Sequence, residues 1–442
     1  MSTPTPGSGT APTPTEQSEE HSERSPSGQT DSQSTGQAAL LRQVASSPAV
    51  VGLLAIFSAL VLSSILILAA DPEVRYTAGY LLNRPADFLH AAGSTLSEAY
   101  SSLLRGSVLD WRATTTVRMI RPITDTLTNA TPLIIAGLGM AVAFRAGLFN
   151  IGGQGQMILG AITACYVGIA WNLPPVAHLL LAVVGAALGG LVWGGIAGVL
   201  KARTGANEVI VTIMLNSIAA HLLSQVLSLK AFNGEGETGN RKSLAVADTA
   251  QYPSLAGGSF RLHAGFLLAL LVAVAVWWLM ERSRLGFQLR ATGLNADAAR
   301  TAGMSVPWVT SLVMMISGAL CGLAATAPVL GTQKSMDESV VGTIGFDAIT
   351  VALLGRSRPL GTVLAGLLFG ALRAGGTAMQ AAPGTHIKIV LVLQSTIVLF
   401  IAAPPLVRAV FRLPEPQARR GADSSPASVP AAPLAAPTAK EA

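Results

Sequence analysis

Charged residues are scarce in this sequence. Asp, Glu, Lys and Arg make up only 12% of its 442 residues, whereas half of the chain is hydrophobic. Soluble globular domains carry about 25% charged residues, so the composition excludes an ordinary soluble protein and indicates a polytopic membrane protein. Aromatic residues are also few, at 5%, while glycine occurs 45 times. Because small residues let membrane helices approach closely, we predict an all-α bundle of transmembrane helices.

Recognisable catalytic and nucleotide-binding motifs are missing as well. Cys165 and Cys321 both lie within apolar runs, where a buried thiol is the expected role rather than a disulfide or a metal ligand. No Gly-Lys pair, zinc motif or nucleophile elbow occurs. We therefore predict no enzymatic activity, no metal and no cofactor in this chain. The net charge of +6 is spread over the ends of apolar runs, which argues against a nucleic-acid partner.

Ten apolar segments are candidates for membrane helices, which need about 20 residues to cross a bilayer. They are residues 49–70, 131–149, 155–171, 176–200, 209–229, 264–280, 308–330, 344–354, 360–380 and 387–407. The segment 344–354 is too short to cross alone, so we expect it to start earlier or to belong to a broken helix. Residues 45–410 are the predicted transmembrane domain, in which the amphipathic stretch 71–129 is expected to form helices on the membrane surface.

The two ends of the chain have little to bury. Residues 1–44 are rich in Ser, Thr, Pro, Gly and Gln, and residues 411–442 in Pro, Ala and Ser, compositions that predict disordered tails. Lys and Arg mark the cytoplasmic loops of membrane proteins. On one side the loops carry Lys201, Arg203, Arg282, Arg284, Arg290, Arg300, Arg356, Arg358, Arg408 and Arg412. The opposite short loops hold only Lys334 and Lys388, so both termini and the loop 282–307 are predicted to be cytoplasmic.

A glycine-rich segment at 149–157, Phe-Asn-Ile-Gly-Gly-Gln-Gly-Gln-Met, interrupts a long apolar stretch. Glycines disfavour a helix there, and irregular backbone at membrane depth persists only where it is buried in protein or lines a wet cavity. A tight cytoplasmic turn and a functional segment both fit. Because polar side chains in so apolar a setting need partners, Asn150, Gln154 and Gln156 are candidates for lining a substrate pathway.

Further polar candidates lie in later spans. Thr212 and Asn216 are four residues apart and share one helix face, where they either hydrogen-bond to a neighbouring helix or line the pathway. Arg373 is the one basic residue deep in a predicted span, and such residues face a bundle interior or a cavity. Asp347 is a candidate partner for it. Few other ionisable residues lie at mid-membrane, so the sequence lacks the relay expected of an ion-coupled carrier.

The polar segment 294–303, Leu-Asn-Ala-Asp-Ala-Ala-Arg-Thr-Ala-Gly, reads as a short helix. Asn295 is placed to cap it, Asp297 lies in its first turn and Gly303 is placed to end it. Its small apolar residues recur every four positions at Leu294, Ala298 and Ala302. A helix this short is unstable alone in water, so it is braced by membrane helices or docks onto another protein. A solvated loop with one helical turn is the simpler alternative.

Several of these segments resemble those of known transport proteins. The Asp297-Ala-Ala-Arg-Thr-Ala-Gly303 segment is similar to the Glu-Ala-Ala-x-x-x-Gly motif of permease subunits of bacterial ABC importers, with Asp in place of Glu. Together with residues 149–157, 207–216 and 345–361, it resembles the branched-chain amino acid and simple-sugar permease family. The Asn-Ile-Gly-Gly-Gln-Gly-Gln segment is similar to that of the nucleoside-uptake branch, in which many members have Glu at the position of Gln154.

The resemblance implies a membrane-spanning permease subunit of an ATP-driven nucleoside importer in the bacterial cell membrane. It also implies three partners: a second, related permease, a cytoplasmic ATPase that binds ATP and Mg, and an extracellular substrate-binding lipoprotein. The short helix is then a cytoplasmic coupling helix, whose contacts with the ATPase are expected from Asn295, Asp297, Ala298, Ala299, Arg300 and Gly303. The alternatives are a monosaccharide importer of the ribose or galactose type, and an ion-coupled carrier or channel acting alone.

Overall fold

The computed structural model describes residues 48–233, 241–381 and 404–412, together with 395, 396, 399 and 400. These residues are overwhelmingly helical and contain two isolated β-bridges, Lys242 with Asp337 and Ser254 with His263. The prediction of an all-α chain is therefore confirmed. The tail at 1–44 lies outside the described residues, as do most of the tail at 411–442 and most of the span predicted at 387–407.

Fifteen α-helices are described in these parts of the chain. In chain order they are α1 (Pro48–Ala70), α2 (Pro72–Ala78), α3 (Pro85–Ser107), α4 (Thr116–Arg145), α5 (Gly153–Ala170), α6 (Pro175–Thr204), α7 (Glu208–Leu227), α8 (Lys230–Asn233), α9 (Gly265–Arg282), α10 (Arg284–Leu294), α11 (Ala296–Thr301), α12 (Val306–Ala324), α13 (Ile344–Leu354), α14 (Pro359–Ala381) and α15 (Pro404–Phe411). A π-helical turn, Ala327–Thr332, extends α12.

Six of these helices are long and apolar enough to cross a membrane: α4, α6, α7, α9, α14 and α12 with its π-helical extension. The pair α1 and α2, bent by 81°, raises the number to seven. Helix α5 begins with two glutamines in its first turn and is not among the six, and α13 has only 11 residues. The chain is thus a multi-pass membrane protein by the length and composition of its helices, and the count of ten spans stays a prediction.

The stretch 71–129 differs from the surface helices expected there. Helix α4 begins at Thr116 and runs for 30 residues as one helix, about 45 Å at 1.5 Å per residue, with Pro122 and Pro132 inside it. In its most apolar window 83% of the residues are buried, so α4 is the central helix of the bundle. The expectation was wrong for the second half of 116–129, where Thr124 and Thr128 are buried in the bundle, which hydropathy alone does not reveal.

Glycines set the closest helix contacts. A Cβ atom added to Gly190 on α6 would lie 2.1 Å from the carbonyl oxygen of Gly318 on α12. A Cβ atom on Gly160 of α5 would lie 2.5 Å from Cα of Gly322, again on α12. Backbones this close leave no room for side chains, as the glycine content predicted.

The loops at one end of the bundle are rich in arginine. Arg145 at the end of α4 pairs with Glu281 at 2.6 Å, and Arg290 lies 3.4 Å from the same carboxylate. Gly147, with φ of +72°, turns the chain against the backbone of Gly293. We call this the basic end. Here the structure brings together loops that the distribution of Lys and Arg assigned to one side of the membrane.

The segment 241–263 covers the opposite end of the bundle. Backbone N–H groups of Val246 and Ala247 donate to the carbonyl oxygens of Lys334 and Gly168 at 2.9 Å. Within this cap the buried His263 ring stacks on Tyr252, with ring centroids 5.4 Å apart. Burial, together with the nearby positive charge of Arg261, lowers the pKa of His263 to about 4, so the imidazole is neutral at pH 7.

Candidate functional site

The chain enters the bundle twice as irregular backbone. The first entry is the segment 146–152 between α4 and α5, and the second is the segment 333–343 between the extended α12 and α13. The first turn of α5, which follows the first segment, contacts the second segment where Nε2 of Gln154 donates to the carbonyl oxygen of Gly342 at 2.7 Å. A Cβ atom on Gly345 would lie 2.5 Å from the Gln154 nitrogen, so glycine is required at this contact. Helices broken in this way build the substrate sites of many transporters.

Asn150 ties the first irregular segment to the bundle. Its side chain is fully buried, and its Oδ1 accepts a hydrogen bond from the Gly152 N–H at 2.9 Å. Its Nδ2 donates to Oε1 of Gln156 at 3.0 Å and to Oγ of Ser317 at 2.9 Å. The amides of Asn150 and Gln156 therefore pair with each other and with α12, which satisfies polar groups that lie deep in the bundle.

Asn216 on α7 holds the same segment from the other side. Its Oδ1 accepts from the Gly155 N–H at 2.8 Å, and its Nδ2 donates to the Ile151 carbonyl oxygen at 2.9 Å. Thr212 donates to the carbonyl oxygen of Glu208 in its own helix at 2.7 Å. Of the two alternatives for these side chains, the structure shows the interhelical hydrogen bond for Asn216. A pathway role for Asn150, Gln154, Gln156, Thr212 and Asn216 stays a prediction.

Replacing Asn150 by alanine is expected to lower the stability of the protein. The change leaves the Gly152 N–H and the amide of Gln156 buried without their partner, and an unpaired buried polar group costs about 1–3 kcal/mol. Thermal unfolding of the purified protein in detergent measures the effect. The matched control is Asn83→Ala, because Asn83 lies exposed in a turn. Equal unfolding temperatures for the two variants would contradict the structural role of Asn150.

A cavity of about 250 Å³ lies beside the second irregular segment, 333–343. Helix α4 contributes one wall, and the π-helical turn, the segment 333–343 and α14 contribute the others. Its polar lining residues are Asp125, Thr128, Asn129, Arg261, Thr332, Gln333, Ser339 and Arg373. We call it the inner cavity. The five pathway candidates are not among its lining residues, although Gln154 binds the Gly342 carbonyl oxygen in its wall.

Asp125 is the carboxylate of the inner cavity. Its Oδ2 lies 3.8 Å from Nε of Arg121, one turn earlier on α4. Its Oδ1 is buried and has no hydrogen-bond partner among the described residues. Buried polar atoms are almost always paired, so the unpaired oxygen indicates a partner that the described residues do not supply.

Arg373 joins α14 to the start of α13. Its Nη2 donates to Oδ2 of Asp347 at 2.6 Å and to Oγ1 of Thr343 at 2.8 Å, and Thr343 donates in turn to the same carboxylate oxygen at 3.0 Å. The structure thus pairs Arg373 with the partner that the sequence suggested, and the pair fixes one wall of the inner cavity.

A second, larger cavity of about 720 Å³ adjoins the inner one and shares Asp125 with it. We call it the outer cavity. Its charged lining residues are Glu98, Arg105, Asp110, Arg118, Arg121 and Asp125. Sequence reasoning missed both cavities because Asp125, Thr128 and Asn129 lie in the stretch expected at the membrane surface. The one signal for a shared site was the helical spacing of these three residues, since positions i, i+3 and i+4 share a helix face. The same helix continues into the apolar run after residue 130.

Helix α11 at the basic end has the predicted local structure. Oδ1 of Asn295 caps it by accepting from the N–H groups of Asp297 and Ala298, each at 3.0 Å. Gly303 follows it with φ of +81°, and Arg300 pairs with Asp297 at 2.7 Å on its exposed side.

The buried face of α11 differs from the predicted one. Leu294, Ala298 and Ala302, which share the predicted apolar face, are exposed, with Leu294 exposed at 88%. Ala299 is instead 3% exposed, and it packs within its own chain. A direct contact of Ala299 with a partner is therefore unavailable in this conformation, whereas the other five predicted contact residues are exposed.

Comparison with known proteins identifies the family. Residues 123–402 match the family described as "Branched-chain amino acid transport system / permease component". The chain is 38% identical to the guanosine ABC transporter permease protein NupP of Bacillus subtilis over 320 residues, which cover 72% of this chain and 89% of that relative. It is 37% identical to a glucose ABC transporter permease protein of Haloferax volcanii over 289 residues, covering 63% and 75%.

A third relative is the nucleoside ABC transporter permease protein NupB of Lactococcus lactis, 32% identical over 321 residues, which cover 69% of this chain and 85% of the relative. The matched family region includes the central helix from residue 123 onward, both irregular segments and the short helix α11. The fold and these similarities agree: this chain is an ABC transporter permease and belongs to the branched-chain amino acid transport permease family.

Proposed function

We propose that this chain is the membrane subunit of an ATP-driven importer of nucleosides. The observation that carries the proposal is the 38% identity to a guanosine permease over most of both chains. The nucleoside permease of Lactococcus lactis supports the same class of substrate. The similarity to a glucose permease favours a second candidate, a monosaccharide. Both candidates are neutral molecules rich in hydroxyl groups.

The energy for transport comes from a separate ATPase subunit, which binds ATP and Mg. Helix α11 supports this assignment, because it is capped, exposed at the basic end and carries the Asp-Ala-Ala-x-x-x-Gly segment. An excess of Arg and Lys marks the cytoplasmic side of membrane proteins, so the basic end, α11 and both termini are assigned to the cytoplasm. The ATPase contacts then come from Asn295, Asp297, Ala298, Arg300 and Gly303, while Ala299 holds the helix in place.

Two further partners complete the importer. Bacillus subtilis and Lactococcus lactis each have two permease proteins of one transporter class among the relatives of this chain. This supports pairing with a second, related permease in the membrane. A substrate-binding lipoprotein delivers nucleoside to the extracellular end of the bundle. This end carries the cap at 241–263 and the first residues of α4.

Uptake measurements test the substrate. Cells that lack this gene are expected to lose uptake of radiolabelled adenosine and guanosine and to regain it when the gene is restored. Uptake of labelled ribose and glucose is expected to stay unchanged. Loss of sugar uptake with normal nucleoside uptake would instead favour the monosaccharide importer.

Replacing Ala298 by glutamate tests the coupling helix. Ala298 is exposed, so the larger, charged side chain is compatible with the fold but obstructs a docked ATPase and places a second carboxylate beside Asp297. A loss of about 1.4 kcal/mol in the free energy of docking weakens the association tenfold. We expect both the amount of copurified ATPase and the rate of uptake to fall by about tenfold or more.

Two further variants control this test. Ala256→Glu, at an exposed position in the cap, is expected to leave the association with the ATPase unchanged. Ala299→Glu places a charge at a buried position and is expected to reduce folding itself, seen as a lower yield of inserted protein. Normal ATPase binding and normal uptake by the Ala298→Glu variant would rule out α11 as the docking site.

A further inference from the structure

The inner cavity offers hydrogen bonds on several sides. Asp125 presents a buried carboxylate oxygen that has no partner among the described residues. Asn129 lies one turn further along the same face of α4, and Arg373 lines the cavity from α14. A carboxylate accepts hydrogen bonds only, while an amide both donates and accepts and a guanidinium only donates. This combination suits a ligand with several hydroxyl groups, each of which donates one hydrogen bond and accepts others.

Aromatic residues are missing from the described lining of both cavities. Proteins that bind nucleobases commonly stack them on aromatic side chains. In single-stranded nucleic-acid complexes each stacked base contributes about 1–3 kcal/mol to the binding free energy. The described lining of the two cavities therefore offers no ring on which a base stacks. The polar groups that this lining does offer in the inner cavity suit the sugar of a nucleoside.

The volumes of the two cavities agree with binding of the sugar in the inner cavity and of the base in the outer cavity. Pockets that enclose a whole drug-sized ligand measure about 300–1,000 Å³, whereas the inner cavity measures about 250 Å³. It accommodates a sugar ring. The outer cavity, at about 720 Å³, meets it at Asp125 and has room for the base.

We propose that the inner cavity binds the ribose ring of a nucleoside, with Asp125 accepting hydrogen bonds from the 2′- and 3′-hydroxyl groups. Asn129 and Arg373 donate to the sugar oxygens, and the base extends into the outer cavity without being stacked. In dinucleotide-binding folds, the carboxylate of an acidic residue likewise accepts a hydrogen bond from a ribose hydroxyl group. The inference rests on the proposed function, and it adds that a single permease chain recognises the sugar and tolerates different bases.

Protection of a cysteine in the cavity tests this inference. Ser339 lines the inner cavity, and both native cysteines are buried, so a Ser339→Cys variant carries one accessible thiol. The complete importer, reconstituted in lipid nanodiscs, is treated with a thiol-specific methanethiosulfonate reagent, and the rate of labelling is measured. The added ligands are adenosine, 2′,3′-dideoxyadenosine and adenine at the same concentration.

Adenosine is expected to slow the labelling, whereas dideoxyadenosine and adenine are not. At ten times the Kd, mass action leaves about one site in eleven free, so the rate falls about tenfold. Asp125→Asn, which keeps the size of the side chain, is expected to abolish the protection, and Asn129→Ala to weaken it. The matched control is Asp87→Asn, an exposed carboxylate that lines neither cavity, for which protection is retained.

Uptake of adenosine by the unaltered importer is measured in parallel in proteoliposomes. If adenosine is transported but does not protect the thiol, or if adenine or dideoxyadenosine protects equally, the sugar site is wrong and the proposed function stands. Protection that survives Asp125→Asn also overturns the role of this carboxylate. If no nucleoside is transported at all, the proposed function itself fails.

Discussion

The Gly190→Leu variant is expected not to accumulate as a folded membrane protein. The atoms nearest to an added Cβ are the carbonyl oxygen of Gly318 at 2.1 Å and Cα of Gly322 at 2.7 Å, which both belong to the backbone of α12. Backbone atoms cannot turn away as a flexible side chain does, so the two helices must separate. Overfilling a packed core costs about 1–3 kcal/mol when side chains adjust, and separating helices costs more.

The measurement is the amount of monodisperse protein after extraction into detergent, detected by fluorescence of a fused reporter during size-exclusion chromatography. Gly93→Leu on α3 is the matched control, because no atom lies within 4 Å of a Cβ at Gly93. It introduces the same leucine and removes the same flexibility of a helical glycine, and it is expected to behave like the unaltered protein. Equal yields of both variants would mean that α6 and α12 do not touch at Gly190.

Arg373→Met is expected to destabilise the protein by about 1–3 kcal/mol, between the cost of breaking a surface ion pair and a fully buried one. The side chains of Arg373 and Asp347 are 24% and 21% exposed, so solvent partly screens the charge that is left behind. The change leaves the carboxylate of Asp347 with Thr343 as its described hydrogen-bond partner. Thermal unfolding in detergent measures the loss, and uptake is expected to fall with it, because the wall of the inner cavity loses its tie to α14.

The double variant Arg373→Met with Asp347→Leu separates the ion pair from other effects. Replacing both members of a buried pair by apolar residues of similar size is often neutral, so stability is expected to recover to within about 1.5 kcal/mol of the unaltered protein. A coupling energy close to zero in this double-mutant cycle would show that the two residues do not interact in the folded protein.

Local features were predicted well from the sequence. The cap at Asn295 and the glycine that ends α11 depend on hydrogen bonds and backbone angles within a few residues. Six of the ten apolar segments were confirmed as helices long and apolar enough to cross a membrane, because hydropathy is a property of consecutive residues. The cost of an isolated charge in the membrane indicated that Arg373 has a partner, whereas its pairing with Asp347 was decided by the fold.

Features that depend on neighbours distant in sequence were missed or left open. The sequence placed residues 116–129 at the membrane surface, although they extend the central helix and the polar side chains of Thr124 and Thr128 are buried in the bundle. It gave α11 an apolar face through Ala298, whereas the fold buries Ala299. It also did not distinguish a pathway residue from an interhelical tie at Asn216, because the partner N–H belongs to Gly155 on another helix.

The sequence alone therefore determined that this protein is a helical membrane protein, where six long apolar helices lie and where a short capped helix lies. Composition, periodicity and capping depend on residues that are close in sequence, so they can be evaluated without the tertiary structure. Only the tertiary structure decided which polar residues meet around a cavity. The approach of α4 to the segment 333–343 and to α14 is set by the packing of whole helices, and it places Asp125 in the lining of the inner cavity.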